Sequence, residues 1–142
     1  MNIIIGKEFP KKVIPLINNA KKSIDIIVFD WRWYVNDPSN PVQLFNQSIV
    51  RAVNRKVRVR AIVNTNAILP TLKSVGINVK KLLGKNVVHC KIIIIDDIIL
   101  VTGSHNYTQY AFTMNYEASI ICSGQEEILR IRQFFNTLFL NH

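Results

Sequence analysis

Within the stretch from Val87 to Thr108, VVHCKIIIIDDIILVTGSHNYT, a few reactive side chains interrupt unbroken apolar runs: His89, Lys91, Ser104 and Asn106. An imidazole can serve as nucleophile or as general acid near neutral pH. A lysine ammonium and an asparagine amide can donate hydrogen bonds to anionic oxygens, and a serine hydroxyl can support them. That set suits a phosphodiester, whose cleavage requires neutralised non-bridging oxygens, a nucleophile and a proton for the departing oxygen. A lone histidine in an apolar run is usually a satisfied core residue. Lys91 argues against that fate, because burying a lysine on the same face two residues away is costly without a function or an anionic partner.

These side chains need a scaffold that brings positions 89 and 106 to one level. Val87 to Ile95 and Ile98 to Thr102 are β-branched runs separated only by Asp96-Asp97, so the spacing predicts two buried strands joined by a tight turn. Strand alternation puts His89 and Lys91 on one face and Cys90 on the other. The polar turn Gly103-Ser104-His105-Asn106 then returns to the level of His89, so a nucleophile, a cation and amide donors converge.

The pattern H-x-K-x4-D-x6-G-S-x-N, carried by His89, Lys91, Asp96, Gly103, Ser104 and Asn106, resembles the signature of the phospholipase D superfamily, also called the HKD family. The layout of the remaining chain is similar too, through Asn115-Tyr116-Glu117 to a closing helix. By size it resembles the small single-motif bacterial endonucleases of that superfamily. The resemblance implies an α/β fold, a mixed β-sheet flanked by helices on both faces, as a phospholipase D-like half-domain. It also implies a homodimer, in which a two-fold axis sets His89 opposite its own copy to complete a two-signature site. One His89 would then form a phosphohistidine while the other protonates the leaving group, with no cofactor and no metal. Glu117 is the family-matched carboxylate for orienting a histidine ring. Asp96, at the hairpin turn, is expected to hold local backbone or a neighbouring element rather than to transfer protons.

Elsewhere, Ile3 to Ile5 reads as a short strand, and Pro10 to Lys22 as an amphipathic helix whose regular part begins near Ile14, since Pro15 belongs in a first turn. Ser23 to Phe29 is a strand. Trp31-Arg32-Trp33-Tyr34 follows it, and there Arg32 and Trp33 could stack and bind unpaired bases, or the tryptophans could pack in a core or dimer interface. Asn40-Pro41 starts a helix with Leu44, Phe45, Ile49, Ala52 and Val53 on its apolar stripe. The turn after it, Arg55-Lys56, stands where the family commonly has Arg-Gly, and Asn54 is the expected left-handed residue. Val57 to Val63 is a strand bearing Arg58 and Arg60, which could touch phosphate or be solvated. Ile68 to Val75 is a short helix and Ile77 to Val79 a strand. A basic loop with Lys80, Lys81 and Lys85 leads into the signature. Tyr107 to Asn115 is a loop or short helix, Glu117 to Cys122 a strand, Ser123 to Glu126 a capping box, and Ile128 to Phe139 the apolar side of a last helix.

The 142 residues, 49% of them hydrophobic, are enough for one core and too few for two, so one domain spanning 1–142 is expected. Eighteen Lys and Arg against nine Asp and Glu give a net charge of +9, which favours a polyanionic partner. Cys90 and Cys122 have no metal-ligand spacing and read as reduced core thiols. His105 occupies the variable signature position and is expected at the surface or just behind the site, with His142 in a tail. A metal site from His89, His105 and a carboxylate is disfavoured because Lys91 would compete for the same place. No apolar run reaches bilayer-spanning length, and the expected location is the cytoplasm, or outside it if a signal sequence has been removed. Three functions remain: a metal-independent endonuclease of low sequence preference acting on DNA, with RNA as the other nucleic-acid candidate; a phospholipid diesterase; and a nucleic-acid-binding module without turnover.

Overall fold

The computed structural model describes residues 2–142. The elements in chain order are β1 (Asn2–Ile5), α1 (Glu8–Asn18), β2 (Ser23–Val28), α2 (Pro41–Asn54), β3 (Arg58–Val63), α3 (Leu69–Ser74), β4 (Asn78–Lys81), β5 (Ile92–Ile95), β6 (Ile99–Gly103), α4 (Gln109–Thr113), β7 (Ala118–Cys122) and α5 (Gln125–Leu140). The strands form one mixed sheet in the order β1-β7-β6-β5-β2-β3-β4. Strands β2, β3 and β4 run parallel because α2 and α3 carry the chain back between them. The remaining pairs are antiparallel.

Both faces of the sheet are covered, and that is why the four isoleucines of β5 can follow one another without a polar break. Ile93 and Ile95 join a core with Phe9, Val13, Phe45, Ile49 and Phe112. Ile92 and Ile94 join a second core under α5, with Ile128, Phe135 and Phe139. The turn between β5 and β6 is as tight as the pattern predicts. Asp96 and Asp97 both have positive φ, 54° and 55°, and Ile98 N–H donates to the Ile95 carbonyl at 3.0 Å.

One buried charge ties α5 to the sheet. Asp25 of β2 is fully buried, and its carboxylate meets Arg60 at 2.7 Å, Arg132 of α5, and Arg58 at 3.6 Å. The Arg60 guanidinium also lies over the rings of Phe135 and Phe139. Arg132 bridges on to Asp97, so the network joins β2, β3, α5 and the hairpin turn.

Several local expectations change. Helix α1 begins at Glu8, so Pro15 lies in its second half. Its missing N–H costs one hydrogen bond, which the buried Phe9, Val13 and Ile17 outweigh. The left-handed residue after α2 is Lys56, with φ 74°, not Asn54. Lys80 and Lys81 belong to β4. The last helix is capped at Gly124 without a side-chain hydrogen bond, so the Ser123 capping box is not formed.

Candidate active site

Strand β5 starts at Ile92, and the expected strand over Val87 to Lys91 is absent from the ladder. The reason lies in the chain after β6. Tyr107 N–H donates to the Asp30 carbonyl and Arg32 N–H to the Tyr107 carbonyl, both at 3.0 Å, so Tyr107 takes the place beside the continuation of β2. Residues 87–91 stand outside the ladder, before the start of β5. They are held by Val88 N–H to Asn64 Oδ1 at 3.1 Å and by Thr102 Oγ1 donating to the Lys91 carbonyl at 2.9 Å.

This position makes His89 available. Its ring is exposed and leans on Phe29 with centroids 5.1 Å apart. Lys91 is half-buried, with Nζ 3.3 Å from His89 Nδ1 and 2.7 Å from the His89 carbonyl oxygen. The same crossing also fixes Asn106. Asn106 Oδ1 accepts the Asp30 N–H at 3.1 Å, which fixes the amide and leaves Nδ2 as its available donor. His89, Lys91 and Asn106 thus stand at one end of the sheet, on segments flanking β2, β5 and β6.

Ser104 and Glu117 form a second cluster at the same end, beyond β6. Ser104 Oγ donates to Glu117 Oε1 at 2.5 Å and accepts the Ala118 N–H at 3.0 Å, while Asn115 Nδ2 donates to Glu117 Oε2 at 3.1 Å. Both carboxylate oxygens of Glu117 are thereby engaged within its own chain. Gly103 is required by close approach: a Cβ there would lie 2.4 Å from the Ala118 carbonyl oxygen and from Ser119 Cα. Asp96 accepts the N–H groups of Lys21, Lys22 and Ser23 at 2.6–3.2 Å, pinning the hairpin turn to the entry of β2. Desolvation raises its pKa, but the N–H groups of Ser23, Lys22 and Lys21 outweigh that and hold it below the ordinary value.

His105 is not at the surface. It is 1% exposed, stacked on Phe9, with Nε2 donating to the Gly6 carbonyl at 2.8 Å and Nδ1 accepting from Ser119 Oγ at 2.7 Å. Desolvation lowers its pKa, so it is a neutral core residue. The alternation that exposes Ser104 turns the next side chain inward, which excludes His105 from any metal set with His89. Among the described residues no three His, Cys, Asp or Glu side chains converge to hold a metal ion.

The candidate nucleic-acid residues divide. Trp31 is core, its Nε1 donating to Asn46 at 2.7 Å. Trp33 is partly buried and, with exposed Arg32, lines a groove that runs from Asp30 and Asn106 past Tyr34 and Tyr110 to Met114. Arg32 pairs with Asp30 at 2.7 Å. Lys85 is exposed in the loop leading to His89. Arg60 is held by Asp25 and only 14% exposed at its side chain, so it is withdrawn from phosphate. Arg58 is exposed but starts β3 opposite Ser23, roughly 20 Å of strand from the level of Asp30. Sequence reasoning missed Phe29 and Asn64, which support the histidine and its loop, and named Asn115 only as part of the layout around Glu117. Asn64, a polar residue directly after a strand, carried a signal.

The arrangement supplies an exposed imidazole that leans on Phe29 with the Lys91 ammonium beside it, and an Asn106 amide held by Asp30, the next residue along; both donors could bind phosphate oxygens. The protein-family model described as "Cardiolipin synthase, PLD-like domain" matches residues 13–139. No curated protein sequence matches the chain. NucT from Helicobacter pylori has the same fold, with a TM-score of 0.77 at 20% identity over 96% of this chain and 93% of that one. Nuc from Salmonella typhimurium, a phospholipase D family member, gives 0.79 at 20% identity over the same shares. TrmBL2, an archaeal chromatin protein whose structure is described as showing a novel mode of DNA binding, gives 0.65 at 19% identity over 98% of this chain and 52% of that one. With the family model spanning nearly all of its length and the His89–Asn106 signature folded at one sheet edge, the chain belongs to the phospholipase D-like family.

Proposed function

We propose that this protein is a phosphodiesterase acting on nucleic acid, an endonuclease of low sequence preference for DNA, with RNA as the other candidate, working through a phosphohistidine at a site shared by two copies of the chain. The observation that carries this reading is the exposed His89 imidazole with the Lys91 ammonium beside it, at the same end of the sheet as the Asn106 amide held by Asp30.

One chain offers a single histidine at this edge, since His105 is buried and His142 Nδ1 accepts the Leu83 N–H. Phosphoryl transfer through histidine needs a second acid and base, so the partner is a second copy of the chain. The exposed Met114 and Tyr116 beside Glu117 favour an interface there. In the proposed reaction, Nε2 of one His89 attacks phosphorus while Lys91 and Asn106 hold the non-bridging oxygens. The P–O bond to the leaving alcohol breaks as the imidazolium of the other His89 gives that oxygen a proton. Water then attacks the phosphohistidine, losing a proton to the second imidazole, and the P–N bond breaks.

Within one chain the ring is not set for attack. A lysine ammonium only donates, so beside Lys91 the His89 Nδ1 accepts and Nε2 carries the proton. Attack needs the opposite tautomer, with Nδ1–H held by an acceptor such as a carboxylate. Glu117 of the same chain is occupied by Ser104 and Asn115, and pairing of two copies would rearrange or supply that acceptor.

The groove lined by Trp33, Tyr34 and Tyr110 favours a strand with unpaired bases, since stacking contributes roughly 1–3 kcal/mol per base. A phospholipid diesterase is the second reading. It is favoured by an apolar cleft of Pro10, Ile14, Pro41, Leu44 and Phe112 rimmed by Lys7 and Lys11.

The deciding test is cleavage of labelled single- and double-stranded DNA in excess chelator, with His89→Ala alongside. Cleavage that persists in chelator and disappears in the variant is expected. Loss of cleavage on chelation would reopen metal chemistry, and headgroup release from phospholipid without DNA cleavage would establish the second reading.

A further inference from the structure

The basic cluster that stands out in the sequence is not at the candidate active site. Helix α1 ends, α2 ends and β2 and β3 begin at the other end of the sheet, and there Lys21, Lys22, Arg51, Arg55, Lys56 and Arg58 are all exposed. These are six of the eighteen basic residues in the chain. Two of them, Lys21 and Arg55, line a cleft with Asn18, Asn19, Ala20 and Val57. Arg55 donates to the Ile17 and Ala20 carbonyls at 2.6–3.1 Å, and Arg51 donates to Asn18 Oδ1 at 3.0 Å, so two of the cations are held in place.

Three acids lie nearby. Asp25 is buried against Arg60 and Arg132, with Arg58 at 3.6 Å, and Asp97 pairs with Arg132, so those two acids are offset by Arg60 and Arg132. Asp96 keeps its charge beside Lys21 and Lys22, and the six cations outnumber it. A second observation is independent of the charge count. Lys56 holds φ 74°, a conformation that glycine adopts without strain and that costs a branched or long side chain roughly 1–2 kcal/mol. The chain keeps a cation at a position where backbone energetics favour glycine.

We propose that Lys21, Lys22, Arg51, Arg55, Lys56 and Arg58 form a second contact surface for nucleic-acid backbone phosphates, independent of sequence and separate from the His89 edge. The inference rests on the reading of the chain as a nucleic-acid enzyme. The two ends are roughly 20 Å apart along β2 and β3, about twice the screening length at physiological salt. This surface therefore exerts little field on a phosphate at His89. It acts by holding a remote stretch of a long polyanion, and it raises affinity for long substrates while leaving the chemistry at His89 unchanged.

The test compares the full chain with the variant K21Q/K22Q/R51Q/K56G, which leaves the Arg55 cap intact. A control, K7Q/K11Q/K73Q/R130Q, removes the same charge from elsewhere. Three quantities are measured: binding of duplex DNA against salt concentration, cleavage of long DNA, and hydrolysis of bis-p-nitrophenyl phosphate. For the patch variant the slope of log K against log salt is expected to fall by about 0.9 for each phosphate contact removed, to a total of about 2–4. DNA binding at low salt weakens tenfold or more, and hydrolysis of the small diester stays within twofold. K56G alone raises the melting temperature, which shows that its loss of affinity is not a loss of fold. An unchanged salt slope, or an equal effect from the control, overturns the proposal. So does loss of binding to phosphatidylserine vesicles with DNA binding unaltered, which would make the surface a membrane contact. Should the wild type hydrolyse no diester while the patch variant still loses DNA affinity, the catalytic reading fails and the binding surface stands.

Discussion

The Lys91 ammonium stands 3.3 Å from Nδ1 of His89 and donates to the carbonyl oxygen of the same residue at 2.7 Å. The residue that would neutralise phosphate thus also sets the ring's resting tautomer and steadies the segment that presents it. Removing the lysine should damage more than charge. Lys91→Ala is expected to lower kcat for a diester by about 10²–10³. Lys91→Arg keeps the charge but not the compact ammonium geometry, and should recover only part of that loss. Steady-state kinetics on a small diester measures both, and full activity in Lys91→Arg would reduce the role of Lys91 to charge alone.

Asn106 tests donor against acceptor at one atom. Asn106→Asp keeps an oxygen for the Asp30 N–H and replaces the free Nδ2 donor with an anionic oxygen facing substrate. The melting temperature should change little, while kcat/KM falls by at least about 10². Wild-type turnover in this variant would remove Asn106 from the site.

Asp96 links acid stability to the hairpin. Its folded-state pKa lies below the unfolded value, so its contribution is fully present above the ordinary aspartate pKa of about 3.9 and is lost as pH falls through the folded value. Asp96→Ala is expected to cost about 1–3 kcal/mol at pH 7, because the charged acceptor of the Lys21, Lys22 and Ser23 N–H groups is lost. Denaturant unfolding at pH 7 and at pH 3 should show the difference between variant and wild type shrinking at the lower pH.

His105 acts one step higher on the pH scale. Burial lowers its pKa below the unfolded value of about 6.5, so the native state favours the neutral ring. Its contribution is complete above that pH and is lost as pH falls through 6.5 toward the folded value. A thermal melt series from pH 8 to pH 5 should show a steeper fall for wild type than for His105→Gln. Equal slopes would mean that the ring can be protonated in place.

Gly103 is a matter of space. In Gly103→Ala the added methyl meets the Ala118 carbonyl and Ser119 Cα at 2.4 Å, and backbone on β7 cannot swing aside as a side chain can. Loss of about 1–3 kcal/mol is expected. The same shift would move Ser104 against Glu117, so activity should drop in protein that remains folded, as judged by circular dichroism beside a kinetic assay.

The sequence by itself determined the family and the β5–β6 hairpin that carries the candidate residues. Continuous β-branched runs, broken only by Asp96-Asp97, specify the β5–β6 hairpin because strand propensity and a tight turn are local properties. The signature spacing is likewise a local property, and it was enough to name the family and to propose His89, Lys91 and Asn106. What depends on contacts between distant segments was out of reach. The pairing of Tyr107 with Asp30 and Arg32, nearly eighty residues apart in sequence, decides that residues 87–91 leave the sheet and expose His89. The same crossing turns His105 into the core, where spacing alone could not distinguish it from its exposed neighbour Ser104. Arg60 read as a free cation until the fold brought Asp25 and Arg132 against it, and only that packing separates a buried ion pair from a residue that meets phosphate.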